Sequence, residues 1–135
     1  MMQAVINLLK ESPAVYLGTV TPEGKPKVRP FALLLEQEGT LFFCTSRKTS
    51  AYRDLKNHPY TEISVMSSEY RWVRISAKVV FSDDQKIKEV AIKENERLQH
   101  LFGSADNPDF EIFFLAEGTA TLHDSSENPV QIFTF

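Results

Sequence analysis

The sequence is poor in the residues from which many sites are built. Its 135 residues include one cysteine, Cys44, which excludes an internal disulfide or a multi-cysteine metal site. The three histidines, His58, His100 and His123, lie far apart without metal-ligand spacing, so no metal is expected. Neither a glycine-rich dinucleotide fingerprint nor a Walker A run is present. No apolar stretch approaches the roughly 20 residues that span a bilayer. The N-terminus, MMQAVINLLKESPAVY, lacks a basic leading segment and is interrupted by Lys10, Glu11 and Pro13, so neither a signal peptide nor membrane association is expected. A cytoplasmic protein is the resulting expectation. Basic charge is also in deficit, with 15 Lys/Arg against 18 Asp/Glu and a net charge of -3, which argues against a nucleic-acid partner.

What is present suffices for a folded core. Hydrophobic residues make up 42% of the chain, and the length suits one domain over residues 1–135. The charge is unevenly spread. Residues 21–60 hold seven Lys/Arg and four Asp/Glu, whereas residues 61–135 hold seven and thirteen. A local basic region on an acidic chain fits a small anionic ligand better than a long polyanion.

The hydrophobic pattern predicts helices over residues 2–11, 50–57 and 82–94, with a shorter helical segment around Leu98, Leu101 and Phe102. Strands are expected over 15–20, 27–36, 40–45, 61–66, 72–81, 110–122 and 130–135. Pro30 lies inside the second strand and cannot donate to a ladder, so that strand belongs at an edge or carries a bulge. In the strand at 72–81, Val73, Ile75, Ala77 and Val79 alternate with Arg74, Ser76, Lys78 and Val80, giving one buried and one polar face. A run of short antiparallel strands with few helices points to a mainly β barrel rather than a βαβ sheet.

One stretch carries chemistry. In FFCTSRKTSAYRDLKNHPY, an apolar strand stops at Thr45 and Ser46, and a helix begins within five residues. Ser46, Arg47, Lys48, Thr49 and Ser50 supply hydroxyls and two cations at that helix start. They either cap the helix and face water or cradle a phosphate with the helix amides. Arg29 would join such a cradle if the second and third strands pair, and Arg74 raises the same question on a later strand. Cys44, inside its apolar run, reads as a small buried hydrophobe. No side chain stands out as a catalytic acid, base or nucleophile, so any difficult chemistry would come from a bound cofactor.

The ordered set YLGTVTPEGKPKVRPFALLLEQEGTLFFCTSRKTSAYRDLKNHPYTEIS, RWVRISAKVVF, NPDFEIFFL and ATLHD resembles the pyridoxamine 5′-phosphate oxidase-like FMN-binding split-barrel family, in its short, general-stress-protein-like form. The resemblance implies a six- or seven-stranded antiparallel split β-barrel with peripheral helices. It also implies a homodimer that holds FMN between protomers and acts as an oxidoreductase with a small-molecule substrate or electron donor. By this resemblance Arg29 lies near the phosphate side of the cofactor, Pro30, Phe31 and Ala32 run beside the ring, and Thr45 to Ser50 receive the phosphate. Trp72 and Arg74 approach from the partner protomer, and Trp72, Tyr70 or Phe31 walls the substrate face. Many relatives carry a lysine where this chain has Thr49; Arg47 or Lys48 would then replace its charge. Arg29→Ala is expected to weaken FMN binding while sparing the fold. The alternatives are a non-catalytic flavin- or haem-binding stress protein and a degenerate barrel without cofactor.

Overall fold

The computed structural model describes residues 2–125 and 131–135. Helix α1 (Gln3–Glu11) buries Val5, Ile6, Leu8 and Leu9 on one face. Pro13 forces the preceding residue out of the helical region, and Ser12 is extended. Strands β1 (Val15–Val20) and β2 (Pro26–Phe31) form an antiparallel hairpin. Gly24 turns it at φ 81°, a conformation that glycine adopts without a Cβ clash.

The strand expected over residues 27–36 divides in two. Its first part ends β2 at Phe31, and its second part is β3 (Leu35–Gln37). Glu38 and Gly39, both at positive φ, connect β3 to β4 (Thr40–Ser46) in a two-residue hairpin turn. The expected pairing of Arg29's strand with the third is therefore corrected: β2 pairs with β1, and the short β3 pairs with β4. Residues 32–34 cross from one sheet edge to the other, and the Leu34 amide donates to the Phe42 carbonyl at 2.8 Å.

Helix α2 (Ser50–Asn57) is capped by Thr49, whose hydroxyl accepts from the Tyr52 amide. Strands β5 (Tyr60–Met66) and β6 (Trp72–Ser82) follow, then helices α3 (Gln85–Glu94) and α4 (Glu96–Phe102). The long β7 (Phe110–His123) and β8 (Gln131–Thr134) complete the chain. Val130, expected in the last strand, lies outside the described residues. The sheet order is β2-β1-β5-β6-β7-β4-β3, with β8 added to β7. All pairs are antiparallel. The result is the mainly β split-barrel architecture expected. It has eight strands among the described residues, because one predicted strand becomes two, and the sheet is not closed by pairing.

Alternation assigns each strand two faces. The inward face of β6 carries Val73, Ile75, Ala77 and Val79, as its pattern requires. With Leu17, Phe43, Ile63, Phe113 and helix α1, they form the main core. A second core lies on the opposite face of β4 and β7, where Phe42, Phe110 and Ile112 pack against Ala91, Ile92 and Leu98 of α3 and α4.

At Glu117 and Gly118 the otherwise continuous β7 carries a bulge. Ser76 pairs with Thr119 and Lys78 with Ala116, so two residues of β7 stand opposite Ala77. Gly118 also exchanges two backbone hydrogen bonds of 2.9 Å with Phe135. A Cβ there would come within 2.7 Å of the Ser76 carbonyl oxygen and 2.9 Å of Ala77 Cβ. Gly118→Ala is thus expected to cost about 2–3 kcal/mol, at the upper end of overpacking penalties. Urea denaturation measures it, and an unchanged midpoint would show that the bulge relaxes freely.

Candidate functional site

The crossing segment at residues 32–34, the end of β4, the start of α2 and helix α4 surround a cleft of about 710 Å³. That volume lies within the roughly 300–1,000 Å³ usual for small-molecule sites. Arg29, Pro30, Phe31 and Ala32 line one side, and Thr45, Ser46, Lys48 and Thr49 line another. Leu98, Leu101 and Phe102 of α4 supply an apolar wall. Eight of the twelve predicted site residues therefore meet in one place.

Arg29 reaches the start of α2 although its strand does not pair with β4. One guanidinium nitrogen donates to Thr19 Oγ1 at 2.6 Å. The other donates to Ser50 Oγ at 3.0 Å and to Asp54 Oδ2 at 3.3 Å. Thr19 Oγ1 in turn donates to the same Asp54 oxygen at 2.9 Å. Asp54 is buried, on the inward side of α2. Three hydrogen bonds leave Arg29 two of its five N–H donors, on Nε and one terminal nitrogen.

Thr49 is committed as well. Its hydroxyl donates to the Ser46 carbonyl at 2.8 Å, lies 3.0 Å from Thr45 Oγ1 and accepts from the Tyr52 amide. The Ser50 and Ala51 amides have no hydrogen-bond partner among the described residues, as first-turn amides do unless a ligand or water meets them. Ser50 stands just behind the lining, on Arg29.

The two cations of the turn diverge. Arg47 leaves the cleft and donates from Nε to Glu111 Oε1 at 2.7 Å, a bond that raises its pKa further. Lys48 stays at the rim, 3.3 Å from Asp109 Oδ2. Trp72 and Arg74 are elsewhere, on the outer face of β6. Trp72 stacks on His123 at 4.0 Å between ring centroids, and the Arg74 guanidinium lies 5.2 Å from the Trp72 ring. Within one chain, the two strand arginines do not share a site.

Cys44 also lines the cleft. Burial pushes its thiol up to about 11, against a smaller lowering by the Arg97 charge. At neutral pH it is a protonated, unreactive wall group, half-buried at the cleft rather than fully buried as the sequence suggested. No cluster of three or more His, Cys, Asp or Glu able to hold a metal occurs among the described residues, nor does a helix long and apolar enough to cross a membrane.

Sequence reasoning missed the far wall and the carboxylates. Asn95, Arg97, Leu98, Leu101, Asn107 and Asp109 all face the cleft, but they come from segments that read as an ordinary amphipathic helix and a loop. Asp54 carried a local signal, since it stands four residues after Ser50 on the same helix face.

The comparisons bear on the same framework. The family model for pyridoxamine 5′-phosphate oxidase matches residues 1–116. A pyridoxine/pyridoxamine 5′-phosphate oxidase of Bacteroides thetaiotaomicron is 30% identical over 69 residues, covering 51% of this chain and 32% of that protein. The matched part thus spans about a third of that relative's length. Among solved structures, a NimC/NimA family protein of Clostridium acetobutylicum has a TM-score of 0.88 at 26% identity, covering 99% of this chain and 92% of that one. General Stress Protein 26 of Bacillus anthracis has a TM-score of 0.79 at 14% identity, with both chains fully covered. A haem-binding protein of Mycobacterium smegmatis shares the fold at a TM-score of 0.72 and 18% identity, over 94% of this chain and 55% of that one. With its model matched over most of the length and its split barrel shared, the chain belongs to the pyridoxamine 5′-phosphate oxidase family.

Proposed function

We propose that the protein binds FMN in this cleft as a homodimer and acts as an oxidoreductase on a small substrate. The observation that carries the reading is the start of α2. There the unpartnered Ser50 and Ala51 amides, the nearby hydroxyls and the two spare donors of Arg29 meet at one end of an apolar-walled cleft. Such a set of donors suits a phosphate, and the wall of Pro30, Phe31 and Ala32 suits a planar ring. A bound flavin supplies the hydride or electron transfer; the chain's own residues bind it, orient it and exclude water.

The outer sheet face supports the dimer. Tyr16, Val28, Tyr60 and Met66 are exposed on it together, beside Trp72 and Arg74. They are interspersed with Glu62, Ser64 and Ser76 on the same face, a mixed apolar and polar surface of the kind found at non-obligate interfaces. Lys48 and Arg47 are already paired with carboxylates, so phosphate recognition rests on hydroxyls, amides and Arg29 rather than on a substitute for the family lysine. Charge-assisted hydrogen bonds of this kind contribute roughly 1.5–3 kcal/mol each.

The test is a titration of ligand-stripped protein with FMN and riboflavin, followed by quenching of flavin fluorescence. FMN is expected to bind at least about 100-fold more tightly, the equivalent of roughly 2.7 kcal/mol. Equal affinities would remove the phosphate cradle, and no binding of either would leave a barrel without cofactor.

A further inference from the structure

Glu111 is a carboxylate inside the barrel wall. It is 5% exposed, and its neighbours Phe110, Ile112 and Phe113 are fully buried. From the turn that leads into α2, Arg47 Nε donates to it at 2.7 Å. The Arg47 amide donates to the Asp109 carbonyl at 2.9 Å. Main chain and side chain of one turn residue are therefore both held at the start of β7.

The rest of the turn leans on itself. The Lys48 amide donates to Ser46 Oγ at 3.2 Å, and the Thr49 amide to the Ser46 carbonyl at 3.0 Å. Lys48 reaches Asp109, but its side chain is largely exposed, so that pair is screened and weak. Arg47 is thus the main link from the turn to β7, as Ser50, through Arg29, is the link to β2. Burying a carboxylate costs its hydration, and an apolar residue of similar volume commonly serves stability as well. What the charged pair adds is a fixed direction, since its hydrogen bond is both strong and geometrically demanding. The turn so fixed ends at the Ser50 and Ala51 amides, whose placement decides whether one phosphate can meet both.

We infer that Glu111 is a positioning residue for the phosphate site: acting through Arg47, it braces the 46–49 turn against β7 and so places the Ser50 and Ala51 amides. The inference rests on the reading of the α2 start as a phosphate cradle. Arg47 is then a strut, and its charge makes no contact with the ligand.

Glu111→Leu separates a strut from a ligand by the sign of its effect, because it removes the acceptor while keeping the buried space filled. FMN affinity should fall at least about fivefold, the equivalent of roughly one lost amide hydrogen bond, while riboflavin affinity stays within about twofold. Glu111→Gln, which keeps an acceptor for Arg47, should retain most of the preference for FMN. The double variant Arg47→Ala/Glu111→Leu, which leaves no buried charge unpaired, should match Glu111→Leu. A rise in FMN affinity for Glu111→Leu would overturn the inference, because Arg47 would then be a phosphate ligand held back by its carboxylate. An equal loss for FMN and riboflavin would overturn it too.

A second readout needs no flavin. By NMR of the ligand-stripped protein, the hydrogen-bonded amides of Arg47, Thr49 and Tyr52 should exchange at least about fivefold faster in Glu111→Leu, with the α1 amides unchanged. If the unmodified protein binds FMN no better than riboflavin yet these amides loosen, the phosphate reading falls and the brace stands. Unchanged exchange at all three would overturn the brace whatever FMN does.

Discussion

Phe113→Ala is expected to lower stability by about 3–5 kcal/mol, the usual range for truncating a fully buried phenylalanine. Phe113 is 0% exposed and touches three other rings from three different strands. It stacks on Phe43 at 5.7 Å, meets Phe81 at 5.5 Å and takes the edge of Phe31 at 6.1 Å. One side chain of β7 thus ties together β4, β6 and the far end of β2. The loss should reach the cleft as well, because Phe31 forms part of its wall. Guanidinium denaturation gives the stability, and Phe113→Leu, expected to cost about 1–2 kcal/mol, separates lost volume from lost ring contacts. A loss below about 1.5 kcal/mol for the alanine variant would mean that the surrounding rings collapse into the space.

Arg29→Ala carries the second large effect, and here the structure revises the expectation drawn from sequence. Arg29 is not simply a ligand charge on a strand. It is the counter-ion of a buried carboxylate, Asp54, and shares that oxygen with Thr19. Removing it leaves Asp54 charged and without its cation inside α2, a loss expected to cost about 3 kcal/mol. FMN affinity should fall at the same time, toward that of riboflavin. The two effects separate in a double-mutant cycle with Asp54→Asn. In the Asp54→Asn background Arg29→Ala should cost at least about 1 kcal/mol less, since the orphaned charge is gone. Asp54→Asn alone should raise the preference for FMN over riboflavin, because it frees Arg29 for the phosphate. Full additivity in thermal denaturation would show that the pair is not coupled.

The contrast shows what a sequence window can carry. The strand at β6 was legible because its alternation is local, and Pro30, lacking a donor, narrowed its strand to an edge or a bulge, of which the structure shows the edge. A helix cap was legible in the hydroxyls at Thr49 and Ser50, and Thr49 is the one that caps. The fate of the basic turn was not legible. Arg47 and Lys48 look like free charge within five residues, yet Glu111 and Asp109 meet them from more than sixty residues further along. That pairing exists because β4 lies beside β7, with Ser46 opposite Phe110. The division of the strand at 27–36 was hidden likewise, since nothing in PFALLLE marks where the chain changes sheet edge. Arg97 escaped notice because an arginine on an amphipathic helix reads as a solvated face until the cleft beside it is seen.

The edge strand β2 has a further consequence for the protein in a crowded solution. Backbone N–H groups alternate in direction along a strand, so residues 26, 28 and 30 would point their donors to the same side. Pro26 and Pro30 have none, although they stand in register with Val20 and Tyr16. With the inward ladder to β1 formed by the intervening residues, the free edge of β2 retains one outward amide, that of Val28. An edge so poor in donors is a bad template for another chain. The two prolines therefore guard the barrel against strand-by-strand aggregation while leaving its outer face free to pack.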